Sequence, residues 1–479
     1  MNKKNKTIKR RDLLKFLSLQ PILLKESVSK QTLHFNIQTK TKRPLNFIFI
    51  LTDDLGWGDL GCYGNKNAIT PNLDRLAKEG VQFNNFYVNS PVCSPSRAAF
   101  LTGLFPGRIG LHTVMRDAAK NLSKGMPASL DPKIPSLIAL LKQAGYFMGH
   151  FGKWHLGNRN ISEYGFHNKG ISLGSINAND NLDFNNSTKA IIDLARIFIR
   201  TNRNKPFYLN LWMFDPHAPL EPTEDQMKYT NNYIMKRLIG KFTSPAQVYY
   251  SVIRELDYQI GRLIKTLDNY NLSENTMIIF SSDNGPEDIS VLETAHSGVG
   301  STGPFRGRKR SLYEGGIRTP LIVRCPSVLP SGKINNTTIL SAIDLLPTLC
   351  SFANVKVPDN VKIDGEDMSK AFKGDEIQRT KPLFWENRFQ IIGPPINKSP
   401  MLAVREGKWK LLMNPDKTRI ELYDITNDPM EVDNLTENNT SVVSRLSDKL
   451  LSWSKELPKG PVHEKAGSNE FTWPGKSIK

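Results

Sequence analysis

Four apolar runs of the sequence each end in residues that could bind an ion or move a proton. In chain order these residues are Asp53-Asp54, Lys153 with His155, Asp215 with His217, and Asp283-Asn284. Each run is typical of a buried strand, and open α/β sheets bind ligands outside the carboxyl ends of their strands. A turn or a helix cap would explain any one pair equally well. Four independent pairs predict a common site at one edge of a sheet.

Hard oxygen ligands are concentrated in four of these residues, namely Asp53, Asp54, Asp283 and Asn284. Such ligands suit Ca²⁺ or Mg²⁺ rather than zinc or copper. A cation is also needed physically, because adjacent carboxylates would otherwise repel each other and any anionic substrate. Positive charge and protons would come from Lys153, His155, His217 and Lys309. Both histidines stand at predicted transitions from strand to loop, where site residues concentrate.

The segment "SPVCSPSRAAFLTG", residues 90–103, places a cysteine just before a predicted helix. Ser94 has the position of the N-cap, and Pro95 lies in the first turn. Cys93 would therefore lie at the positive end of the helix, where backbone N–H groups bind anions, with Arg97 one turn further on. A helix N-terminus also lowers the pKa of a thiol, so a reactive thiolate is an alternative. A phosphatase-like site would require a longer loop between cysteine and arginine.

The charge of the chain is unevenly distributed. The 479 residues carry a formal charge of +18, of which residues 1–43 contribute +10. The remaining +8 suits a protein that handles anionic substrates and does not predict a nucleic-acid groove. Arg10-Arg11 and the short apolar stretch after them resemble a twin-arginine export signal, which predicts a periplasmic or secreted protein. A disordered basic tail is the alternative.

Two further classes of structure are not indicated. The sequence has no run of eighteen apolar residues, so no transmembrane helix is predicted. Its four cysteines are too scattered for a disulfide framework or a zinc site; they are Cys62, Cys93, Cys325 and Cys350.

The order of the predicted elements indicates two structured parts. From residue 44 to 365, apolar strands alternate with helical stretches, which predicts an α/β domain with a large, mostly parallel sheet. The amphipathic stretch 247–270 predicts a long helix. The segment "TPNLDRLAKEG" predicts a helix that is capped by Thr70 and stopped by Gly80. The Asn/Gly-rich stretch 158–186 predicts a long loop. Residues 366–479 predict a smaller antiparallel α+β domain, which ends in one helix.

In its short sequence motifs the chain resembles the type I, formylglycine-dependent sulfatases of the alkaline phosphatase superfamily. This family includes arylsulfatase A and N-acetylgalactosamine-6-sulfatase. The matching motifs are "CSPSR" before "AAFLTG", "TDDLGWGDLGCYGN", "GKWHLG", "SSDNGP" and "GPFRGRKRSLYEGGIRTP". The resemblance runs from about Asn46 into the C-terminal part. It implies an alkaline-phosphatase-like catalytic domain, a small C-terminal sheet domain and hydrolysis of sulfuric esters, with sulfated carbohydrate as the substrate.

The resemblance also assigns roles. Cys93 would be converted to formylglycine by a maturation enzyme, and one Ca²⁺ would be bound by Asp53, Asp54, modified Cys93, Asp283 and Asn284. Arg97 would orient the formylglycine. The sulfate would be held by Lys153, His217 and Lys309, of which the last two would help the leaving oxygen depart. His155 would promote breakdown of the covalent sulfated intermediate.

Two departures from the family pattern leave open questions. His167 in "YGFHNKG" replaces a common Asp, and the segment around Lys309 is unusually basic because of Arg306, Arg308 and Arg310. We expect the differences to concern substrate groups beyond the sulfate, with a solvated basic face as the alternative for the arginines. The alternatives for the whole chain are a phosphonate or phosphodiester hydrolase of the same superfamily and a non-catalytic binder of sulfated glycans.

Overall fold

A computed structural model describes residues 43–167, 187–234, 244–291 and 296–468. Two regions singled out in the sequence therefore lie wholly or partly outside the described residues. They are the export-like segment, up to residue 42, and the predicted loop at 158–186, from residue 168 onward. The described beginning of that loop contains a short 3-10 helix, Ile161–Tyr164.

Secondary structure alternates between strands and helices over most of the chain. The strands are β1 (Asn46–Thr52), β2 (Val81–Phe83), β3 (Phe86–Tyr87), β4 (Phe147–Gly152), β5 (Phe207–Trp212), β6 (Thr276–Ser282), β7 (Leu321–Arg324), β8 (Lys333–Asn335), β9 (Leu340–Ser341), β10 (Leu383–Glu386), β11 (Leu402–Glu406), β12 (Trp409–Met413) and β13 (Glu421–Asp424). The α-helices are α1 (Pro71–Lys78), α2 (Cys93–Thr102), α3 (Ala118–Ser123), α4 (Leu137–Gln143), α5 (Ser187–Asn202), α6 (Glu224–Ile234), α7 (Ser244–Asn269), α8 (Glu314–Ile317), α9 (Leu345–Ala353), α10 (Ser369–Phe372) and α11 (Thr440–Glu456).

The large sheet has the strand order β4-β5-β1-β6-β7-β2-β8. Its neighbouring strands pair in parallel except at β7, which is antiparallel to both β6 and β2. The four strands that end in the predicted site residues, β4, β5, β1 and β6, are adjacent and parallel, so their carboxyl ends meet at one edge. The predicted mixed, mostly parallel α/β fold is confirmed.

The central strand β1 shows why this sheet is covered on both faces. Its residues are all buried, and successive side chains of a strand point to opposite faces. Phe47 and Phe49 pack in a core that also contains α2, α4 and the C-terminal sheet. Ile48 and Ile50 pack in the second core, under α5 and α7. A continuous apolar run is the expected signature of such a strand.

The start of α1 matches the sequence prediction in position but not in the group that caps it. Thr70 precedes α1, but its hydroxyl donates to the Asp74 carboxylate instead of accepting from the first turn. The carboxylate of Asp257, on α7, accepts from the backbone N–H groups of Asn72 and Leu73 instead. The predicted N-cap position of Thr70 is therefore confirmed, but its hydroxyl makes no capping bond, because a carboxylate from the neighbouring helix satisfies those donors. The helix also ends at Lys78, before Gly80.

The C-terminal part forms a four-stranded antiparallel sheet, β10-β11-β12-β13, with α11 packed on it. This arrangement confirms the predicted small antiparallel sheet. The sheet shares a continuous core with the large sheet. The indole N–H of the buried Trp385, in β10, donates to the Val88 carbonyl at 2.7 Å. The C-terminal sheet is thus joined to the segment that leads into α2.

Candidate active site

The ends of β1 and β6 bring their polar residues into direct contact. The backbone N–H of Asp283 donates to the Thr52 carbonyl at 3.1 Å, which continues the pairing of the strands by one residue. The backbone of Asp54 then turns into the left-handed region, with φ of 67°, and its side chain accepts from Asn284 Nδ2 at 2.7 Å. All these side chains are buried. The pair Asp53-Asp54 and the pair Asp283-Asn284, both predicted from the sequence, therefore form one cluster.

The same cluster includes the cysteine. One ligand atom from each of four buried residues lies within 4.8 Å of the others; they are Asp53, Asp54, Cys93 and Asp283. Asn284 Oδ1 is buried beside them and has no hydrogen-bond partner among the described residues. A buried amide oxygen without a donor is costly unless something else satisfies it. The donor set and this orphaned oxygen fit a hard divalent cation.

Three cations balance the three buried aspartates. Arg97 Nη2 lies 2.7 Å from Asp283 Oδ2, Lys153 Nζ contacts Asp53 Oδ2, and Lys309 Nζ lies 2.6 Å from Asp54 Oδ2. Burial by itself would raise the pKa of Asp53, but the nearby cations, with Lys153 first, hold that pKa well below its usual range. Burial and the charge of Asp53 raise the pKa of Asp283. The cations therefore favour the charged form of Asp53, whereas burial and its neighbour Asp53 disfavour the charged form of Asp283.

The helix that carries Cys93 starts two residues earlier than the sequence predicted, because the N-cap is Val92 and not Ser94. Cys93 is the first residue of α2, Val92 occupies the N-cap position, and Ser94 is already inside the helix. The Ser94 hydroxyl does not cap the helix, because it accepts from the Met115 backbone N–H at 2.9 Å. The predicted placement of Cys93 at the positive end of the helix, with Arg97 one turn on, is confirmed.

The surroundings of Cys93 decide between the two readings of its thiol. Sγ lies 3.1 Å from Asp53 Oδ1. Burial, followed by the charges of Asp283 and Asp53, raises the pKa of the Cys93 thiol well above its ordinary value. A reactive thiolate needs the opposite environment, a lowered pKa and some exposure. The alternative of a working thiolate is therefore not supported.

His155 lies directly beyond β4 in a left-handed backbone conformation, with φ of 57°. Its Nε2 is 3.0 Å from the Met115 carbonyl, so this nitrogen carries the hydrogen and Nδ1 is left as an acceptor. Nδ1 is buried without a partner among the described residues. Burial and the charges of Lys153 and Arg97 lower the pKa of His155 well below its ordinary value. A neutral imidazole with a free acceptor nitrogen can take up a proton.

His217 approaches the cluster from the loop after β5. Its Nδ1 lies 2.6 Å from the Ala218 carbonyl, and Nε2 lies 3.9 Å from Asp54 Oδ2. About a third of the side chain is exposed, at 34%. The ring thus stands between the buried cluster and solvent. Asp215, the other polar residue of this strand end, accepts from the Thr188 hydroxyl on α5.

One residue of the site was missed in the sequence. Glu287 is almost completely buried, and its Oε2 lies 3.5 Å from Lys309 Nζ. Burial would raise the pKa of this carboxyl, but hydrogen bonds from Arg310 and the charge of Lys309 lower it to about 2. The available signal was a glutamate three residues after Asn284, opposite the most basic stretch of the chain.

The structure separates the three arginines around Lys309. Arg306 is buried and donates to the carbonyls of Ile396 and Glu431, in the C-terminal part. Arg308 donates to the carbonyls of Glu287, Gly298 and Gly300. Arg306 also donates to the hydroxyls of Tyr313 and Tyr423, so for this buried residue the expected role in substrate binding and the alternative of a solvated face are both wrong. Arg308 is partly buried and directs its Nε and Nη2 to backbone carbonyls. Arg310 is partly exposed beside the site.

The expectation for His167 was also wrong. Its ring stacks on Phe147 with centroids 4.3 Å apart, and its Nδ1 accepts from the Met148 backbone N–H. Both contacts lie at the amino end of β4, whereas the site lies at the carboxyl end, beyond Gly152. A strand rises about 3.3 Å per residue, so the length of β4 separates His167 from the site.

Comparisons with known proteins agree with this geometry. Residues 45–355 match the family model described as "Sulfatase", and residues 303–456 match "N-sulphoglucosamine sulphohydrolase, C-terminal". N-acetylgalactosamine-6-sulfatase of Canis lupus familiaris is 34% identical over 72% of this chain and 68% of its own length. N-acetylgalactosamine-6-O-sulfatase of Bacteroides thetaiotaomicron is 28% identical over 85% of this chain and 92% of its own.

Among solved structures, Ps i-CgsB in complex with k-i-k-neocarrahexaose superposes with a TM-score of 0.74 and 27% sequence identity. The superposition covers 88% of this chain and 95% of that one. The family match thus extends over the large sheet, the cysteine segment and the C-terminal sheet. The chain belongs to the sulfatase family and is a hydrolase of sulfuric esters.

Proposed function

We propose that this protein removes sulfate from a sulfated carbohydrate, with a formylglycine made from Cys93 and one bound Ca²⁺. The observation that carries this proposal is the position of Cys93: at the start of α2, 3.1 Å from Asp53 and within one cluster of buried oxygen ligands. Sγ of Cys93 stands in for the oxygens of the hydrated aldehyde. The sulfated carbohydrate is inferred from relatives named as sulfatases of N-acetylgalactosamine and from a similar structure solved in complex with k-i-k-neocarrahexaose.

The implied cation would be held by Asp53, Asp54, Asp283, Asn284 and modified residue 93. Once bound, it would polarise the sulfate group and balance the charge of the carboxylates. The hydrated formylglycine would supply the nucleophilic oxygen and a second hydroxyl, which serine or cysteine lacks.

The chain's own residues divide the remaining work. Arg97 fixes Asp283 and donates to the Lys153 carbonyl at 2.9 Å, so it holds the start of α2 against the end of β4. Lys153 and Lys309 present ammonium groups to the sulfate oxygens. Each lysine forms an ion pair with an aspartate, Lys153 with Asp53 and Lys309 with Asp54, and this pairing fixes its position before the substrate binds.

Proton transfer falls to the two histidines. His217 Nε2 faces the cluster from the solvent side, and because Nδ1 donates to the Ala218 carbonyl, the ring would give a proton to the leaving sugar oxygen as an imidazolium. Lys309 Nζ contacts the same Asp54 oxygen and is the second proton source. His155 Nδ1 is the buried acceptor nitrogen, and the Met115 carbonyl fixes its tautomer. It takes a proton from residue 93 so that sulfate can leave and the aldehyde can re-form.

Two features outside the site complete the proposal. No helix among the described residues is long and apolar enough to cross a membrane. The twin-arginine-like start leads us to propose export, and a separate maturation enzyme would be needed to oxidise Cys93. We also propose the boundary between the catalytic part, 44–365, and the C-terminal part, 366–479, as the limits of two domains.

The test uses the full chain produced with and without a formylglycine-generating enzyme. Mass spectrometry of the peptide containing Cys93 should show the aldehyde only in the co-expressed sample. Sulfate release should follow the aldehyde content and be absent from Cys93→Ala and Cys93→Ser. Fully matured protein that releases no sulfate from aryl or sugar sulfates would overturn the proposal. Faster cleavage of matched phosphate or phosphonate esters would favour the alternative hydrolase, and binding without turnover would favour a glycan binder.

A further inference from the structure

We infer that Arg310 is a specificity residue, which binds an acceptor oxygen on the sugar that carries the scissile sulfate. The inference rests on the proposed function of the neighbouring site. Neither the family match nor the names of the relatives assign a role to this residue. It is argued from the contacts of Arg310, its exposure and its backbone conformation.

A chain of contacts leads from the buried cluster to Arg310. Lys309 Nζ lies between Asp54 Oδ2, at 2.6 Å, and Glu287 Oε2, at 3.5 Å. The same Glu287 oxygen accepts from Arg310 Nη2 at 3.0 Å, and Oε1 accepts from Nη1. The exposed fraction of the side chain rises from 4% at Lys309 to 25% at Arg310. Of the linked residues Asp54, Lys309, Glu287 and Arg310, Arg310 is therefore the one nearest to solvent.

Its guanidinium group keeps donors available. The two bonds to Glu287 use two of five N–H groups, and the other three have no partner among the described residues. Arg306 donates to two carbonyls and two tyrosine hydroxyls, and Arg308 donates to three carbonyls, so each makes more hydrogen bonds within the protein than Arg310 does. The bidentate contact with a nearly buried carboxylate also holds the planar fork in one orientation. An oriented donor fork at the rim suits hydroxyl, amide or carboxylate oxygens of a sugar.

The backbone of Arg310 supports a functional reason for its position. Its φ is 74°, in the left-handed region, which costs a residue with a Cβ roughly 1–2 kcal/mol. This conformation is held from both sides: its N–H donates to the Pro91 carbonyl and its carbonyl accepts from Asn387 Nδ2 at 2.8 Å. Pro91 lies two residues before Cys93. The backbone bond to Pro91 thereby fixes the position of Arg310 relative to the segment that contains Cys93.

The test compares two substrates of matured enzyme, an aryl sulfate and the monosaccharide sulfate cleaved fastest. Arg310→Asn should lower kcat/KM for the sugar sulfate by about tenfold to hundredfold more than for the aryl sulfate, mostly through KM. Asn tolerates the left-handed backbone, and Arg310→Gly repeats the test without a side chain. Arg200→Asn, an exposed arginine on α5, is the matched control and should leave the ratio unchanged.

Arg310→Lys identifies the acceptor. It should recover much of the sugar preference if the acceptor is a carboxylate or second sulfate, and little if it is a hydroxyl or amide, for which the fork matters. Binding to Cys93→Ala gives an independent readout, in which monosaccharide sulfates should bind more tightly than inorganic sulfate only when Arg310 is present. Two results would overturn the inference. One is an equal loss of kcat/KM on the aryl sulfate and the sugar sulfate in the Arg310 variants. The other is that Cys93→Ala with Arg310 intact binds monosaccharide sulfates no more tightly than inorganic sulfate. Sulfate release from the aryl ester by wild type would still uphold the proposed function.

Discussion

Lys309 Nζ lies 2.6 Å from Asp54 Oδ2, although 255 residues separate them in sequence, and both side chains are almost fully buried. Asp54 follows β1, whereas Lys309 lies in the segment that precedes α8. The segment reaches the sheet edge because C-terminal side chains and carbonyls hold it, among them Asn387 and Ser399. The proposed sulfate site thus depends on contacts from both parts of the chain.

Replacing Lys309 by methionine should affect both activity and stability. It removes the partner of a buried carboxylate, which costs about 3–5 kcal/mol when the other charge remains. Loss of a cation aimed at the sulfate should lower kcat about a hundredfold or more. Urea unfolding and sulfate release measure the two effects, and Lys356→Met, at an exposed ion pair, is the control. A variant with full activity would contradict the role proposed for Lys309.

Calcium should stabilise the protein, and chelation should reverse this effect. Binding to the folded state alone contributes about 2.7 kcal/mol when the free ion is at a hundred times Kd. The melting temperature should therefore rise with Ca²⁺ in wild type and respond far less in Asp283→Asn. Asp359→Asn, an exposed aspartate, should behave as wild type. The ligand assignment would fail if Asp283→Asn kept the complete response, measured by differential scanning fluorimetry.

Gly152, the last residue of β4, should not tolerate alanine. Its φ is 107°, and a Cβ would lie 1.9 Å from the Trp212 carbonyl oxygen, which accepts from the Lys153 backbone N–H. Gly145→Ala is the matched control, since its φ is 87° but a Cβ there meets nothing within 4 Å. Backbone strain costs about 1–3 kcal/mol at either site. Gly152→Ala should lose clearly more stability than Gly145→Ala. It should also have a lower kcat, because the clash with the Trp212 carbonyl must displace Lys153. Equal losses of stability in the two variants would show that the clash is not the cause.

Acid should destabilise the protein through His150. Burial and the charge of Arg97 lower the pKa of His150 to about 3, and its ring packs against Trp154 and Trp212. The unfolded chain takes up this proton first, so stability is complete above pH 6.5 and is lost as the pH falls toward 3. The loss amounts to as much as about 1.4 kcal/mol per pH unit. Urea unfolding of wild type and His150→Phe at pH 6.5 and 5.0 should show a smaller difference in the variant.

A large part of this protein could be predicted from sequence because the relevant patterns are local. Runs of apolar residues identify strands buried on both faces, and the residue after a parallel strand must lie at the ligand-binding edge. The sequence alone therefore predicts that Asp53, Asp54, Asp283 and Asn284 form one cluster. Cys93 and Arg97 followed from the helix signal and the motif "CSPSR".

Other features depended on tertiary structure, because side-chain partners in loops come from distant segments. Glu287 joins the site only because the segment of Lys309 and Arg310 folds back over it. The same packing buries Arg306 and bonds Arg308 to backbone carbonyls, although the sequence alone does not distinguish these two arginines from Arg310. His167 packs at the amino end of β4, away from the site, and although Thr70 is the N-cap residue of α1, the carboxylate of Asp257 caps the helix in place of its hydroxyl. Periodicity determines which face of an element is buried, whereas the packing of distant loops decides which charged groups meet.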